Sequence, residues 1–377
     1  MQITVRFASS VTDSNRVFHL RAAIYDAELG RAHNVDGDGL MTDPLDETGR
    51  LLLAEHDGEV VATLRINWGG DAPFAAEDRA IYRLDLFETV LAPAQIAIFS
   101  RFAAKPSYRG GDAPGQLIDA LIRFSLAHGV ALILCDCRPE LINTYFRLGM
   151  HVAGPLVTTA GAELLVPLAL LLDDREHLHA LQSRIVPLLH GIDPDPDRRD
   201  AIRALLPPDP AVRLLDHAQD TPEWTRIVDV LAQDRSRVPI CQDLSPEQIA
   251  RLTTSANLIS CNQGDVILRQ GSAGEMIFVL LDGAVDVVRR GAPVTRLAPG
   301  SVVGDIAFLT QVRRTADIVA TTDSRLLCLR PSTLKALIAN APTLAATFLL
   351  NLARILATRV AATTASADIA DVSELVH

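Results

Sequence analysis

The stretch Gly300-Ser-Val-Val-Gly304-Asp305-Ile306-Ala307-Phe308-Leu-Thr-Gln-Val-Arg313-Arg314-Thr315-Ala316 joins a tight turn, a carboxylate and an arginine at one fixed spacing. A Gly-led turn offers backbone N–H groups to phosphate oxygens, and an acid takes a ribose hydroxyl. The guanidinium nine positions after that acid supplies a fork-shaped countercharge. The combination suits a phosphorylated ribose, and it confines this part of the chain to a fold that can hold a short loop rigidly around an anion.

The stretch resembles the phosphate-binding cassette of the cyclic nucleotide-binding domains. The resemblance extends upstream through Gly264-Asp265-Val-Ile-Leu-Arg-Gln-Gly271-Ser-Ala-Gly274-Glu275-Met-Ile-Phe278-Val-Leu-Leu-Asp-Gly283, whose glycines fall where that β-roll turns its hairpins. It covers about the last third of the chain. It implies that Arg314 pairs with the cyclic phosphate and Asp305 accepts from the ribose 2′-hydroxyl, while donors from Gly304, Ile306, Ala307 and Thr315 complete the cradle. Asp305 stands where such families usually carry Glu, so the sugar contact is expected to be weakened or bridged by water. The competing reading, a roll that kept its shape and lost its ligand, leaves Arg314 as an unpaired charge inside a turn. Thr315 is compatible with cAMP or cGMP; analogy with bacterial modules favours cAMP.

At 377 residues the chain is long enough for two or three domains, each with its own core. A net charge of −11 argues against general binding to nucleic acid or anionic membranes, which needs a basic face. The roughly sixty residues after Thr315 read as one lid helix and a tail rather than as a helix-turn-helix. Five scattered cysteines, Cys135, Cys137, Cys241, Cys261 and Cys328, favour a reducing compartment. Cys135-Asp-Cys137 lacks zinc-knuckle spacing, so no metal is expected and both thiols read as apolar fillers of a buried strand. No N-terminal leader pattern is seen and no run is read as reaching membrane-spanning length, which together predict a cytoplasmic protein.

The predicted fold class is α+β and multidomain: a mixed α/β domain over 1–172, a helical connector over 173–243, and a β-roll (a double-stranded jelly roll) with flanking helices over 244–377. In the first domain, Asp13 or Ser14 can cap a helix with Val17, Leu20, Ile24 and Ala27 on one face. Leu51–Glu55 and Val60–Ile66 flank His56-Asp57-Gly58-Glu59, a hairpin signal. A strand over Ile96–Phe102 alternates Ile96, Ile98 and Ser100 against Ala97, Phe99 and Arg101. A helix over 114–128, a buried strand over 130–137 and a helix over 141–148 ending at Gly149 follow. The connector is broken by Asp193-Pro194-Asp195-Pro196 and Pro207-Pro208-Asp209-Pro210, and reads either as a passive spacer or as a lever. Leu244-Ser245-Pro246 opens a capped helix. Leu344, Phe348, Leu352, Ile355 and Leu356 share one face of a last helix, which serves equally as a lid over the base or as a homodimer interface.

The order hairpin, strand, Gly-rich loop, helix, strand, helix resembles the GNAT acyltransferase superfamily. The residues that carry the match run Ser100-Arg101-Phe102-Ala103-Ala104-Lys-Pro-Ser-Tyr108-Arg109-Gly110-Gly111-Asp-Ala-Pro-Gly115. Small residues there let N–H groups at the helix N-terminus meet a donor's pantetheine and phosphates. The loop departs by about one residue from the usual spacing, which suits an acyl carrier protein donor better than coenzyme A. Tyr145-Phe-Arg-Leu-Gly149 sits where such enzymes hold a tyrosine that protonates the leaving thiolate; a core tyrosine is the plain alternative. Leu20-Arg21-Ala-Ala-Ile-Tyr25, then Asp43-Pro-Leu-Asp46 and the hairpin, resemble the front of autoinducer synthases and the related N-acyl amino acid synthases.

This resemblance implies transfer of an acyl group from a thioester of acyl carrier protein or coenzyme A to the amine of an amino acid or similar small acceptor. Tyr145, Ser100, Arg101 and Asp46 are the expected catalytic residues. Phe102, Ala103, Ala104, Arg109, Gly110, Gly111 and Gly115 are expected to bind the acyl donor. Related synthases often carry Glu where this chain has Ile98, so Asp43, Asp46 or Glu55 is the candidate base. Arg21 and Arg101 either bind the acceptor's carboxylate or form ion pairs with nearby acids. cAMP is the expected effector, closing the last helix and shifting the connector. A cAMP-controlled protein lysine acetyltransferase using acetyl-CoA and a non-catalytic sensor with a decayed acyltransferase domain are the competing readings.

Overall fold

The computed structural model describes residues 3–29, 35–158, 164–208, 211–214, 227, 231, 238–254, 256–272, 274 and 276–374. Ala273 and Glu275 of the hairpin segment and Asp209-Pro210 of the second proline break lie outside the described residues, as does the side chain of Ala27. The chain divides into two compact units, Met1–Ala211 and Val212–His377.

The first unit runs β1 (Thr4–Phe7), α1 (Val11–Leu29), β2 (Arg50–His56), β3 (Glu59–Trp68), α2 (Ala76–Tyr82), α3 (Leu84–Phe87), β4 (Ile96–Ala104), α4 (Asp112–Ala127), β5 (Leu132–Cys137), α5 (Ile142–Leu148), β6 (His151–Val152), β7 (Val157–Thr158), β8 (Leu164–Leu171), α6 (Arg175–Ala180) and α7 (Pro196–Arg203). Its sheet has the order β1-β2-β3-β4-β5-β8-β6, with β7 on β8. The β2–β3 hairpin turns at Asp57-Gly58, with φ of 52° and 78°, the two left-handed residues of a type I′ turn. Helix α1 starts at Val11, so Asp13 and Ser14 sit inside its first turn. Ser10 Oγ instead accepts from the Asp13 N–H at 3.1 Å. Val17, Leu20 and Ile24 are buried as expected.

Two features of β4 position the site. Its parallel pairing with β5 covers Ile96–Ile98 against Leu132–Leu134, and beyond that the two strands part. On the other side the register with β3 slips between Thr63–Ala103 and Arg65–Ser100, and Arg101 at the slip has φ of 54°. This is a β-bulge, which bends the strand and re-aims a side chain. The expected alternation of Ser100 against Arg101 therefore fails. The bulge lets both neighbours reach one network.

The second unit runs β9 (Val212–Leu214), α8 (Pro246–Thr254), β10 (Asn257–Cys261), β11 (Val266–Leu268), β12 (Ile277–Asp282), β13 (Val285–Arg289), β14 (Ala292–Leu297), β15 (Val302–Val303), α9 (Asp305–Thr310), β16 (Asp317–Ala320), β17 (Ser324–Leu329), α10 (Pro331–Asn340) and α11 (Pro342–Glu374). Two antiparallel sheets, β15-β12-β17-β10-β9 and β11-β16-β13-β14, form the roll. Ser245 and Gln248 cap α8 reciprocally, at 2.8 and 3.2 Å. The segment read as all-helical connector also supplies β9, which pairs with β10. Two strands and two helices follow Thr315, where one lid helix and a tail were expected. Pro342–Ala361 of α11 is long and apolar enough to cross a membrane by length and composition, contrary to the sequence reading. Within this unit its residues Leu344, Phe348 and Leu352 pack into the core.

Candidate functional site

In the first unit, a short 3-10 turn over Pro44–Asp46 places two carboxylates against the sheet. Asp43 caps the turn, accepting from the Leu45 N–H, while Asp46 accepts from the Asp43 N–H. From β3, Arg65 donates through Nη1 to Asp43 at 2.5 Å and to Asp46 at 3.0 Å, and through Nε to Ser100 Oγ at 3.1 Å. From α1, Arg21 donates to Asp46 at 2.7 Å. From the bulge, Arg101 donates to Asp43 Oδ2 through Nε and Nη2 at 2.8 and 2.5 Å and also bonds Tyr25. Seven side chains, Arg21, Tyr25, Asp43, Asp46, Arg65, Ser100 and Arg101, from four elements thus form one network.

The network is buried at one end and open at the other. The Arg21 and Arg65 side chains are 1% and 2% exposed, that of Arg101 is 24%. Arg21 Nε and Nη2 meet no acceptor among the described residues, and the Phe18 ring lies 5.3 Å from its guanidinium. Burial lowers the pKa of Arg21, opposed by Asp46. Burial works to raise that of Asp43, yet the Arg101 and Arg65 guanidinia outweigh it and hold the carboxyl below its ordinary range. The fate of the expected groups follows from this geometry. Ser100, Arg101 and Asp46 come together; Arg21 is sealed in an ion pair with Asp46 rather than open to an acceptor. Glu55 pairs instead with Arg6 and Arg16, at 2.9 and 2.8 Å.

Across the parted strands, Tyr145 on α5 is buried and its ring stacks on Phe99, 6.2 Å between centroids. Burial, with Cys135, Cys137 and Asp136 adding, raises its pKa well above the ordinary value. Phe102 meets Phe99 edge-on at 6.4 Å, and Ala103 and Ala104 are buried beside it. Arg109 Nε donates to the Ala104 carbonyl at 3.0 Å, and Gly110 takes φ of 73° before Gly111 begins α4 without a side-chain cap. At Gly115 a Cβ would lie 1.9 Å from Arg184 Nη1, so a larger residue there would displace the end of the Arg184 side chain. Arg184 also pairs with Asp119 at 3.0 Å. The sequence reading missed Arg65, hidden in an apolar strand, and Arg184; only the charge of Arg65 in an otherwise apolar run signalled it.

In the second unit the cassette forms a cradle. Gly304 begins α9 with φ of 81°, and a Cβ there would lie 2.6 Å from the Met276 carbonyl and 2.7 Å from Arg314 Nη1. Backbone bonds from Gly271 N–H to Arg314 O and from Arg314 N–H to Ser272 O, both 2.8 Å, tie the arginine to the turn before β12. Arg314 is 5% exposed, and its Nη1 donates to the Met276 and Gly304 carbonyls, each at 3.0 Å. Asp305 is buried, accepting from the Ile306 N–H at 3.1 Å and pairing with Arg359 of α11, which also bonds the Val302 carbonyl at 2.5 Å. Ala307 is buried, whereas Ile306 and Thr315 are exposed. Arg359, 54 positions from Asp305, is the cradle residue that sequence spacing did not reveal. No group of side chains suited to a metal ion occurs among the described residues.

Residues 16–171 match the family model of N-acyl amino acid synthase FeeM, and residues 258–341 match that of the cyclic nucleotide-binding domain. The human potassium/sodium hyperpolarization-activated cyclic nucleotide-gated channel 3 is 34% identical over 94 residues, 25% of this chain and 12% of the channel. The cGMP-dependent protein kinase egl-4 of Caenorhabditis briggsae is 32% identical over 85 residues, 22% of this chain and 11% of the kinase. The chain thus spans only about a tenth of the length of such relatives. A solved cyclic nucleotide-binding domain from Methylobacillus flagellatus is similar at 20% identity and TM-score 0.34, over 40% of this chain and 84% of that one. The catabolite activator protein of Thermus thermophilus is similar at 28% identity and TM-score 0.32, over 35% and 63%. The chain joins an N-acyltransferase domain of the FeeM synthase family to a cyclic nucleotide-binding domain.

Proposed function

We propose that the N-terminal domain transfers an acyl group from a thioester of acyl carrier protein or coenzyme A to the amine of an amino acid or similar small acceptor, and that cAMP at the C-terminal domain governs turnover. The observation that carries this reading is the parting of β4 and β5 beside the arginine–carboxylate network. Phe102, Ala103 and Ala104 border that opening and accommodate the thioester arm. Arg109, Gly110, Gly111 and the first turn of α4 at Gly115, with Arg184 against it, receive the donor's phosphate through N–H groups and the helix dipole.

Tyr145 holds its proton at neutral pH because burial disfavours the phenolate, so its role is to protonate the departing thiolate. Arg101, the exposed end of the network, orients the acceptor's carboxylate. Asp46 and Ser100 are positioning groups that hold Arg65 and, through Asp43, Arg101. In the cradle, the cyclic phosphate takes Arg314 over from the two carbonyls, and the ribose hydroxyl approaches Asp305 where Arg359 already sits. Helix α11 thereby senses occupancy. Control of turnover requires that cAMP bind the active and inactive states unequally.

Thiol release tests the reading, measured with a long-chain acyl carrier protein or acetyl-CoA and a pool of amino acids, with and without cAMP. Turnover with the long-chain donor that responds to cAMP is expected. Turnover with acetyl-CoA alone would move the protein to small-acyl or lysine acetyl transfer, and silence with both donors would leave a nucleotide sensor.

A further inference from the structure

The acceptor amine must lose a proton, and none of Asp43, Asp46 or Glu55 is free to take it. Two guanidinia hold Asp43, two hold Asp46 and two hold Glu55. Ile98, where related synthases carry an acid, is 1% exposed in the apolar core. The neighbouring strand carries a further carboxylate beside the end of the β4–β5 pairing. Ile98 pairs in register with Leu134 as the last β4–β5 pair, so Asp136 lies one pleat further along β5, on the same face, where the strands have parted. The phenol of Tyr82, 2% exposed on α2, confirms that face by donating to Asp136 Oδ2 at 2.7 Å. Asp136 is half-buried and close enough to Tyr145 to act on its ionisation.

Resting on the acyltransferase reading, we propose that Asp136, oriented by Tyr82, is the general base for the acceptor amine, a carboxylate moved from β4 to β5. The ammonium gives one proton to Asp136, and the freed lone pair attacks the thioester carbonyl, forming the C–N bond. The tetrahedral intermediate expels the thiolate, which takes the Tyr145 proton as the C–S bond breaks. The second nitrogen proton returns to the Tyr145 oxygen, and Asp136 releases its own to solvent, so that one proton leaves per amide formed. Among the groups around Asp136, Tyr82 of α2 donates to it, and its charge acts on the ionisation of Asp78 of α2, Tyr145 of α5 and the adjacent Cys135 on β5.

Asp136→Asn keeps the size of the side chain and an acceptor for Tyr82, so the fold is retained, as near-ultraviolet circular dichroism will verify. In the full-length protein with the donor that supports wild-type turnover, kcat is expected to fall about 100-fold or more, with donor KM little changed and the acidic limb of the pH profile lost. Tyr82→Phe should lower kcat about tenfold and displace that limb, because a hydrogen bond to the charged base is lost. Asp136→Glu should restore part of the rate. Wild-type amide formation with an Asp136→Asn rate within threefold, or with the acidic limb intact, would overturn the assignment and leave the acyltransferase reading standing. A wild-type protein that forms no amide overturns both.

Discussion

Arginines and carboxylates meet in both units, and they are held in different ways. In the acyltransferase domain Arg21, Arg65 and Arg101 pair side chain to side chain with Asp43 and Asp46, three guanidinium groups sharing two carboxylates. In the nucleotide cradle Arg314 bonds the carbonyls of Met276 and Gly304, and Asp305 waits against a residue of a terminal helix. At its buried end the first arrangement is locked, Arg21 and Arg65 sharing Asp46, so that removing one carboxylate strands a buried guanidinium. The second is a set of exchangeable contacts, because the anionic oxygen of a phosphodiester is a better partner for a guanidinium than a neutral carbonyl. One site is built to be rigid and the other to answer a ligand.

The sharpest way to break this contrast is Asp46→Ala. It leaves both Arg21 and Arg65 without their shared acid, and the acyltransferase domain should lose about 3–5 kcal/mol of stability, read as an earlier denaturant midpoint, along with its turnover. A stable, active variant would show that the network is not a closed unit. Arg314→Ala is the matching test. Nucleotide affinity by calorimetry should fall at least about 100-fold, roughly 3 kcal/mol, while the unfolding midpoint of that domain stays near wild type. Undiminished binding would end the cassette assignment.

A smaller effect concerns Asp78, close to both Arg65 and Asp136. Burial, with Glu77, Asp136 and Asp43 adding and Arg65 opposing, pushes its pKa up to about 6 from 3.8. A folded-state pKa above the unfolded one means stability is full below about pH 4 and is lost as pH rises through about 6, amounting to about 2–3 kcal/mol. Asp78→Asn should flatten the pH dependence of the acyltransferase transition across that window. An unchanged slope would place the titrating group elsewhere.

Some of this was legible because it is local. The Asp57-Gly58 turn, the Ser245–Gln248 cap and the run from Gly304 to Thr315 each draw their geometry from residues close together in the chain. The bulge at Arg101 was not legible: alternation is the default of an extended strand, and nothing in Ser100-Arg101-Phe102 announces a slipped register. Nor did the pattern around Arg65 reveal its partners, since Asp43 lies 22 residues earlier on a turn whose docking depends on the whole sheet.

By itself the sequence determined the two domain families, the small-residue turns and the residues able to carry charge, because those properties belong to single residues and short spacings. Tertiary structure alone decided which acids were already spoken for, which strand pair opened, and that Tyr82 and Asp136, 54 residues apart, would meet beside it. The physical reason is that ion pairing and burial depend on distances through space, and the path of the chain between two partners sets those distances only once the sheet has formed.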